Sequence, residues 1–155
     1  MHTITNDLGR ISFHDSSIEK TSRSVNELAL HFDWAKIQNY GKDCDLIDIV
    51  VGECYLVLFG VTSEVFLKHQ DTLGSSQVVG PPQVHVSIDI ETAFSLIGHN
   101  EFRTTTSGQV LSLSGMYEGV DGIYWLEQQI CFQTGCFHWN NHVTLSDWRQ
   151  GAIPQ

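Results

Sequence analysis

Basic residues are scarce in the second half of this 155-residue chain: between Asp71 and Asp147, Arg103 is the only one. Eight Lys and Arg stand against eighteen Asp and Glu, a formal charge of −10 at pH 7. A nucleic-acid backbone or an anionic membrane would meet repulsion across that half in place of counterion-releasing contacts, which excludes both as primary ligands. A basic partner would be attracted and its encounter accelerated. No apolar run approaches the ~20 residues of a membrane span. The opening Met1–Asp7 lacks a basic segment and an apolar run ahead of a small-residue cleavage site, so no signal peptide is expected and a cytoplasmic protein is.

Cysteine is sparse as well. Cys44, Cys54, Cys131 and Cys136 do not make a disulfide scaffold in a chain of this size and are expected to be reduced thiols. There is no Gly-x-Ser-x-Gly elbow and no glycine-rich nucleotide fingerprint, and Gly74-Ser75-Ser76 lacks the spacing and the helix of a phosphate loop. No catalytic constellation emerges, so the chain is not expected to be an enzyme. Helical periodicity is missing too, apart from an ambiguous Glu91–Ile97 with Gly98 behind it, read as one short helix. That absence excludes βαβ architectures.

What is present is strand alternation. Arg10–Phe13 is a short strand ending in a turn at His14-Asp15-Ser16-Ser17, with Asp15 accepting from the amides of Ser17 or Ile18. Ile18–Ser24 is extended. Leu28, Leu30, Phe32 and Trp34 alternate with Glu27, Ala29, His31 and Asp33, a half-buried strand. Asn39–Asp45 is a loop. Ile47–Val61 is apolar on both faces and reads as a covered central strand, with Gly52 and Gly60 marking a bulge, a bend or a close backbone approach. Glu64–His69 follows, then a long loop over Asp71–Pro82 and a clean alternator over Gln83–Ile90.

The segment Gly122–Leu145 organises the chain. Read as a hairpin about Thr134-Gly135, it places Phe132 opposite Phe137, Ile130 opposite Trp139 and Leu126 opposite Val143 on an apolar face, with Gln128 meeting Asn141. The other face carries Cys131, Cys136, His138 and a Glu127–His142 pair. Upstream, turns at Asp121-Gly122 and Ser107-Gly108 add two more strands, pairing Tyr117 with Leu126 and setting Val110, Leu111 and Leu113 against Thr104–Thr106. The C-terminal half thus reads as a four-stranded meander. The expected fold is one all-β domain over residues 1–155, an antiparallel sandwich or bent barrel-like sheet of eight to ten strands, with Ser146–Gln155 a loosely held tail.

Two sets of side chains could carry chemistry. Cys131, Cys136, His138 and His142 share the polar face of the hairpin and are of the ligand types that suit zinc. Residues diagonal across a ribbon lie ~7–8 Å apart, however, and structural zinc sites draw their cysteines from tight knuckles. A metal- or small-ligand-binding β-barrel is therefore the alternative reading, with zinc its only cofactor. His14-Asp15 invites comparison with the His-Asp pairs of metal-dependent phosphohydrolases, but those pairs sit on helices that this chain does not supply.

The run Ile11-Ser12-Phe13-His14-Asp15-Ser16-Ser17-Ile18, followed by the alternating strand Glu27–Trp34, resembles the start of small bacterial β domains. These are immunity-type or uncharacterised proteins with Phe-His-Asp-Ser or Phe-His-Asp-Ala and then an aliphatic residue. The resemblance carries over residues 13–18 alone, among them Phe13, His14, Asp15 and Ser16, and brings no catalytic residue. It implies a protein that binds and neutralises a co-encoded toxin, and the acidic balance suits a basic one such as a nuclease. Glu118, Asp121 and Glu127 are the expected partner-binding residues. An exposed sheet edge would also allow a homodimer.

Overall fold

The computed structural model describes residues 1–68, 83–84, 94–119 and 122–155. Within them the chain forms β1 (His2–Ile4), a 3₁₀ turn (Leu8–Arg10), β2 (Ile11–Ser12), β3 (Ile18–Arg23), β4 (Glu27–Phe32), β5 (Ala35–Tyr40), β6 (Ile47–Val51), β7 (Cys54–Phe59) and β8 (Ser63–Lys68). Then come β9 (Gln83–Val84), β10 (Leu96–Thr105), β11 (Gly108–Gly119), β12 (Gly122–Phe132), β13 (Thr134–Trp139), β14 (His142–Thr144) and one helix, α1 (Leu145–Arg149). Three open sheets result, of order β1-β13-β7-β4-β3, β10-β11-β12-β8-β9 and β14-β6-β5-β2, every pairing antiparallel and none closed into a barrel. The all-β antiparallel fold is as the alternation predicts, and α1 is the single helix among the described residues. Among the described residues no helix is long and apolar enough to cross a membrane.

Two long bent strands hold the sheets together. Residues 47–68 run as β6, β7 and β8 through all three sheets, and 122–144 run back beside them as β12, β13 and β14. The expected hairpin about Thr134-Gly135 is therefore not formed: β12 pairs with β11 and β8, and β13 pairs with β1 and β7. Gly135 adopts no positive φ. Its missing side chain serves packing instead, since a Cβ there would lie 2.7 Å from Leu8 Cδ1 and 3.2 Å from Leu58 Cδ2.

The corner is a bulge. Between the pairs Thr134–Phe59 and Cys131–Ser63, Phe132 and Gln133 face Gly60, Val61 and Thr62, two residues against three. Gly60 takes φ +65°, with the Gln133 side chain packed where a Cβ would be. The backbone stays bonded around the bend through Gln133 N–H to Phe59 O at 2.9 Å and Thr62 N–H to Cys131 O at 2.9 Å. Gly52-Glu53 makes the second bend, between β6 and β7.

Those bends correct the reading of 47–61 as one strand covered on both sides. Cys54, Leu56 and Leu58 are fully buried, but Tyr55 and Phe59 on the opposite face of β7 are exposed. The meander is also shorter than expected: β10-β11-β12 are consecutive, and the fourth strand beside β12 is β8. Its register is shifted from the expected one: Tyr117 pairs with Tyr124, Leu126 faces Gly115, and Val110, Leu111 and Leu113 face Arg103, Phe102 and Asn100. Leu96 and Ile97 belong to β10, not to a helix, while the helix forms within the C-terminal segment. Residues 71–82, 85–90 and 91–93 lie outside the described residues. β5 went unexpected because Asn39–Asp45 reads as a loop and only Ala35 and Ile37 of that strand are buried.

One apolar cluster lies between the sheets, with Leu56, Phe137 and Trp139 contributed by the first, Leu111, Ile130 and Phe132 by the second, and Ile37 and Ile49 by the third. Among the described residues Ser16, Thr21 and Gln128 are the buried polar ones; Gln128 is 1% exposed, with Nε2 donating to Glu64 Oε1 at 2.7 Å, and Glu64 in turn receives Arg23 through two bonds. Gln128 thus meets Phe66 and Leu113 across the sheet, and Asn141 is not its neighbour.

Candidate functional site

The Phe13–Ser16 run closes a seam. Phe13 is fully buried and Ser16 likewise, its hydroxyl donating to Phe13 O at 2.9 Å. Asn100 on β10 supplies its side-chain amide as a substitute strand partner, accepting from Phe13 N–H at 2.8 Å and donating to Ile11 O at 2.9 Å. Asp15 N–H bonds Ile97 O, and Ile97 N–H bonds Ser16 O, both at 2.8 Å. The open edge of β10 is thereby covered, as unpaired edges in native sheets usually are. Asp15 adopts φ +66°, and its carboxylate contacts exposed His14 Nδ1 at 3.0 Å. The expected Asp15 cap is supplied instead by Asp33, which accepts from Ser17 N–H at 2.8 Å and Trp34 N–H at 2.9 Å.

The four residues considered for zinc are spread over three sheets: Cys131 on β12, Cys136 and His138 on β13, His142 on β14. Among the described residues no group of three or more His, Cys, Asp or Glu is placed to hold a metal ion. His138 Nδ1 lies 3.0 Å from Thr3 Oγ1. His142 faces Val51 rather than Glu127, with its ring 5.2 Å from that of His2 and 5.5 Å from that of Tyr40. Burial, and secondarily the His2 charge, lower the His142 pKa. Burial also raises the Cys136 thiol, and raises Cys54 much further.

The outer face of the meander carries a different grouping. Leu96 on β10 pairs with Met116 on β11, which pairs with Trp125 on β12, a continuous apolar row across three strands. Leu96 and Trp125 are each 37% exposed, and Ile123, two residues from Trp125 on the same face, is 48% exposed. Glycine positions the indole: a Cβ at Gly98, the bulged residue of β10, would lie 2.5 Å from Trp125 Cη2. Trp125 thus reaches across β11 onto bare backbone. Glu118 pairs with Ile123 at one border of the row, and Glu127 stands two residues from Trp125 at the other, where Gln129 Nε2 donates to it at 2.8 Å. Asp121 lies outside the described residues.

Two of the three nominated acids therefore flank a hydrophobic centre that sequence reasoning did not single out. The signal was the unbroken run Ile123-Tyr124-Trp125-Leu126. With Tyr124 and Leu126 inward, the other two must present apolar surface outward. A second outward strip on β7 is partly covered, with His31 stacked on Tyr55 at 4.3 Å and 7°.

The fold and this surface define an open antiparallel β protein with an exposed apolar row on one sheet. Comparison with protein-family models, curated proteins and solved structures gave no match.

Proposed function

We propose that this is a binding protein that engages a basic protein partner through the outer face of β10–β12, and specifically a bacterial immunity protein that neutralises a co-encoded toxin. The observation that carries the reading is the apolar row Leu96–Met116–Trp125 with Ile123, bordered by Glu118 and Glu127. Contiguous exposed apolar surface rimmed by polar groups marks interaction sites, and tryptophan is enriched at their energetic centres. The net charge of −10 selects the partner's sign, because complementary potential accelerates encounter and rejects acidic competitors.

Co-expression tests the reading. The product of the gene immediately upstream should inhibit growth alone and be rendered harmless by this protein, but not by a Trp125→Ala, Ile123→Ala variant. Metabolic neighbours with no effect on growth, or equal protection by the variant, would remove the immunity reading.

A further inference from the structure

A groove of about 340 Å³ opens where the 3₁₀ turn, β2 and β5 meet the bulge of β10. Arg10, Ser12, His14, Gln38, His99 and Asn100 line it, and no Asp or Glu does so among the described residues. In a chain with eighteen Asp and Glu, that places three cationic or cationisable side chains in one concavity whose lining holds no acid, the Asp15 carboxylate contacting His14 Nδ1 from outside the lining. Arg10 makes no ion pair among the described residues: Nη1 donates to Asn39 O at 3.2 Å, and Nε is buried without a hydrogen-bond partner. Arg23, Lys36 and Arg103, by contrast, all face carboxylates. Asp15 holds His14 through Nδ1, which leaves Nε2 as the ring nitrogen available to a ligand. Asn100 has both amide atoms committed to Phe13 and Ile11, so its side chain fixes the wall and does not bind.

We infer that this groove is a binding site for a small phosphate-type oxyanion, with the Arg10 guanidinium as its charged donor and the His14 and His99 imidazoles, the Ser12 hydroxyl and the Gln38 amide as further donors. Donors arriving from the 3₁₀ turn, β2 and the turn after it, β5 and β10 suit a group with more than two acceptor oxygens, and guanidinium–phosphate bonds are among the strong charge-assisted kind. The volume admits a phosphomonoester of modest size. The site is independent of the docking face and stands or falls without it.

The test is titration of the folded protein with inorganic phosphate, following the imidazole ¹H–¹³C signals of His14 and His99 at fixed pH, against sodium chloride at matched ionic strength and against acetate. The expected result is a saturable shift with phosphate only, weakened by ~fivefold or more in Arg10→Ala, since removing a charge-assisted donor costs on that scale. His99→Ala, at an exposed position, gives the same weakening at His14 and decides the matter if Arg10→Ala does not fold. Shifts no larger than with chloride, or equal saturation in the folded variants, would overturn the assignment. Saturation with acetate at the same affinity would overturn the phosphate class.

Discussion

Phe13 lies almost parallel to Phe32, ring centroids 3.9 Å apart and planes 11° from one another, and meets Phe137 edge-on at 5.9 Å. This stack joins the Phe-His-Asp-Ser segment to the first sheet and makes the motif a piece of core architecture. Phe13→Ala should therefore destabilise by about 3–5 kcal/mol, as large-to-small aromatic changes in a closed core do. Urea denaturation checks it; a loss below about 1 kcal/mol would mean that the ring is not enclosed.

Gly135 packs against Leu8 and Leu58 with no room for a methyl group. Gly135→Ala should cost about 1–3 kcal/mol through overpacking, and Leu8→Ala in the same chain should recover part of that loss. A glycine required for a hairpin turn would show no such coupling, so the double-mutant cycle separates the bent strand from the turn.

Here lies the limit of what periodicity could tell. A two-residue hairpin and a one-residue bulge both exchange the parity that faces the core. Ile130 and Phe132, then Phe137 and Trp139, are thus inward under either reading, and all four are buried. Strand identity and inward faces were legible in Gly122–Trp139; the partner was not, because pairing with 47–68 is a long-range fact that alternation does not encode. Gly52 was legible as a break, but not as the point where a strand changes sheets. The candidate site was legible through its acids, Glu118 and Glu127. Its apolar centre was concealed because Trp125 and Ile123 read as ordinary strand hydrophobics until the meander's turns were placed.

The cysteines should divide by burial. Cys54 is fully buried, with a thiol pKa driven far up by desolvation and then by Asp33, whereas Cys44 is exposed. Since the thiolate is the reacting species, iodoacetamide should label Cys44 first and Cys54 only after unfolding. Mass spectrometry of tryptic peptides over a labelling time course reads the order directly.

His142 gives the fold a pH dependence of known sign. Its folded pKa is below the unfolded value, so the unfolded chain binds more protons and stability from this group rises with pH. The contribution is complete above the unfolded value near 6.5 and is lost as pH falls through the window down to the folded pKa. The urea midpoint should drop further between pH 7.5 and 5.0 in the wild type than in His142→Gln. An identical drop in both would show that the imidazole is not desolvated against His2.

The most direct test of the binding account is calorimetric titration of the purified upstream-encoded partner into wild-type protein and into Trp125→Ala. The expected affinity loss in Trp125→Ala is about 30-fold or more, the ~2 kcal/mol that defines an interface hot spot. Equal affinities for the two proteins, with the variant folded, would contradict it.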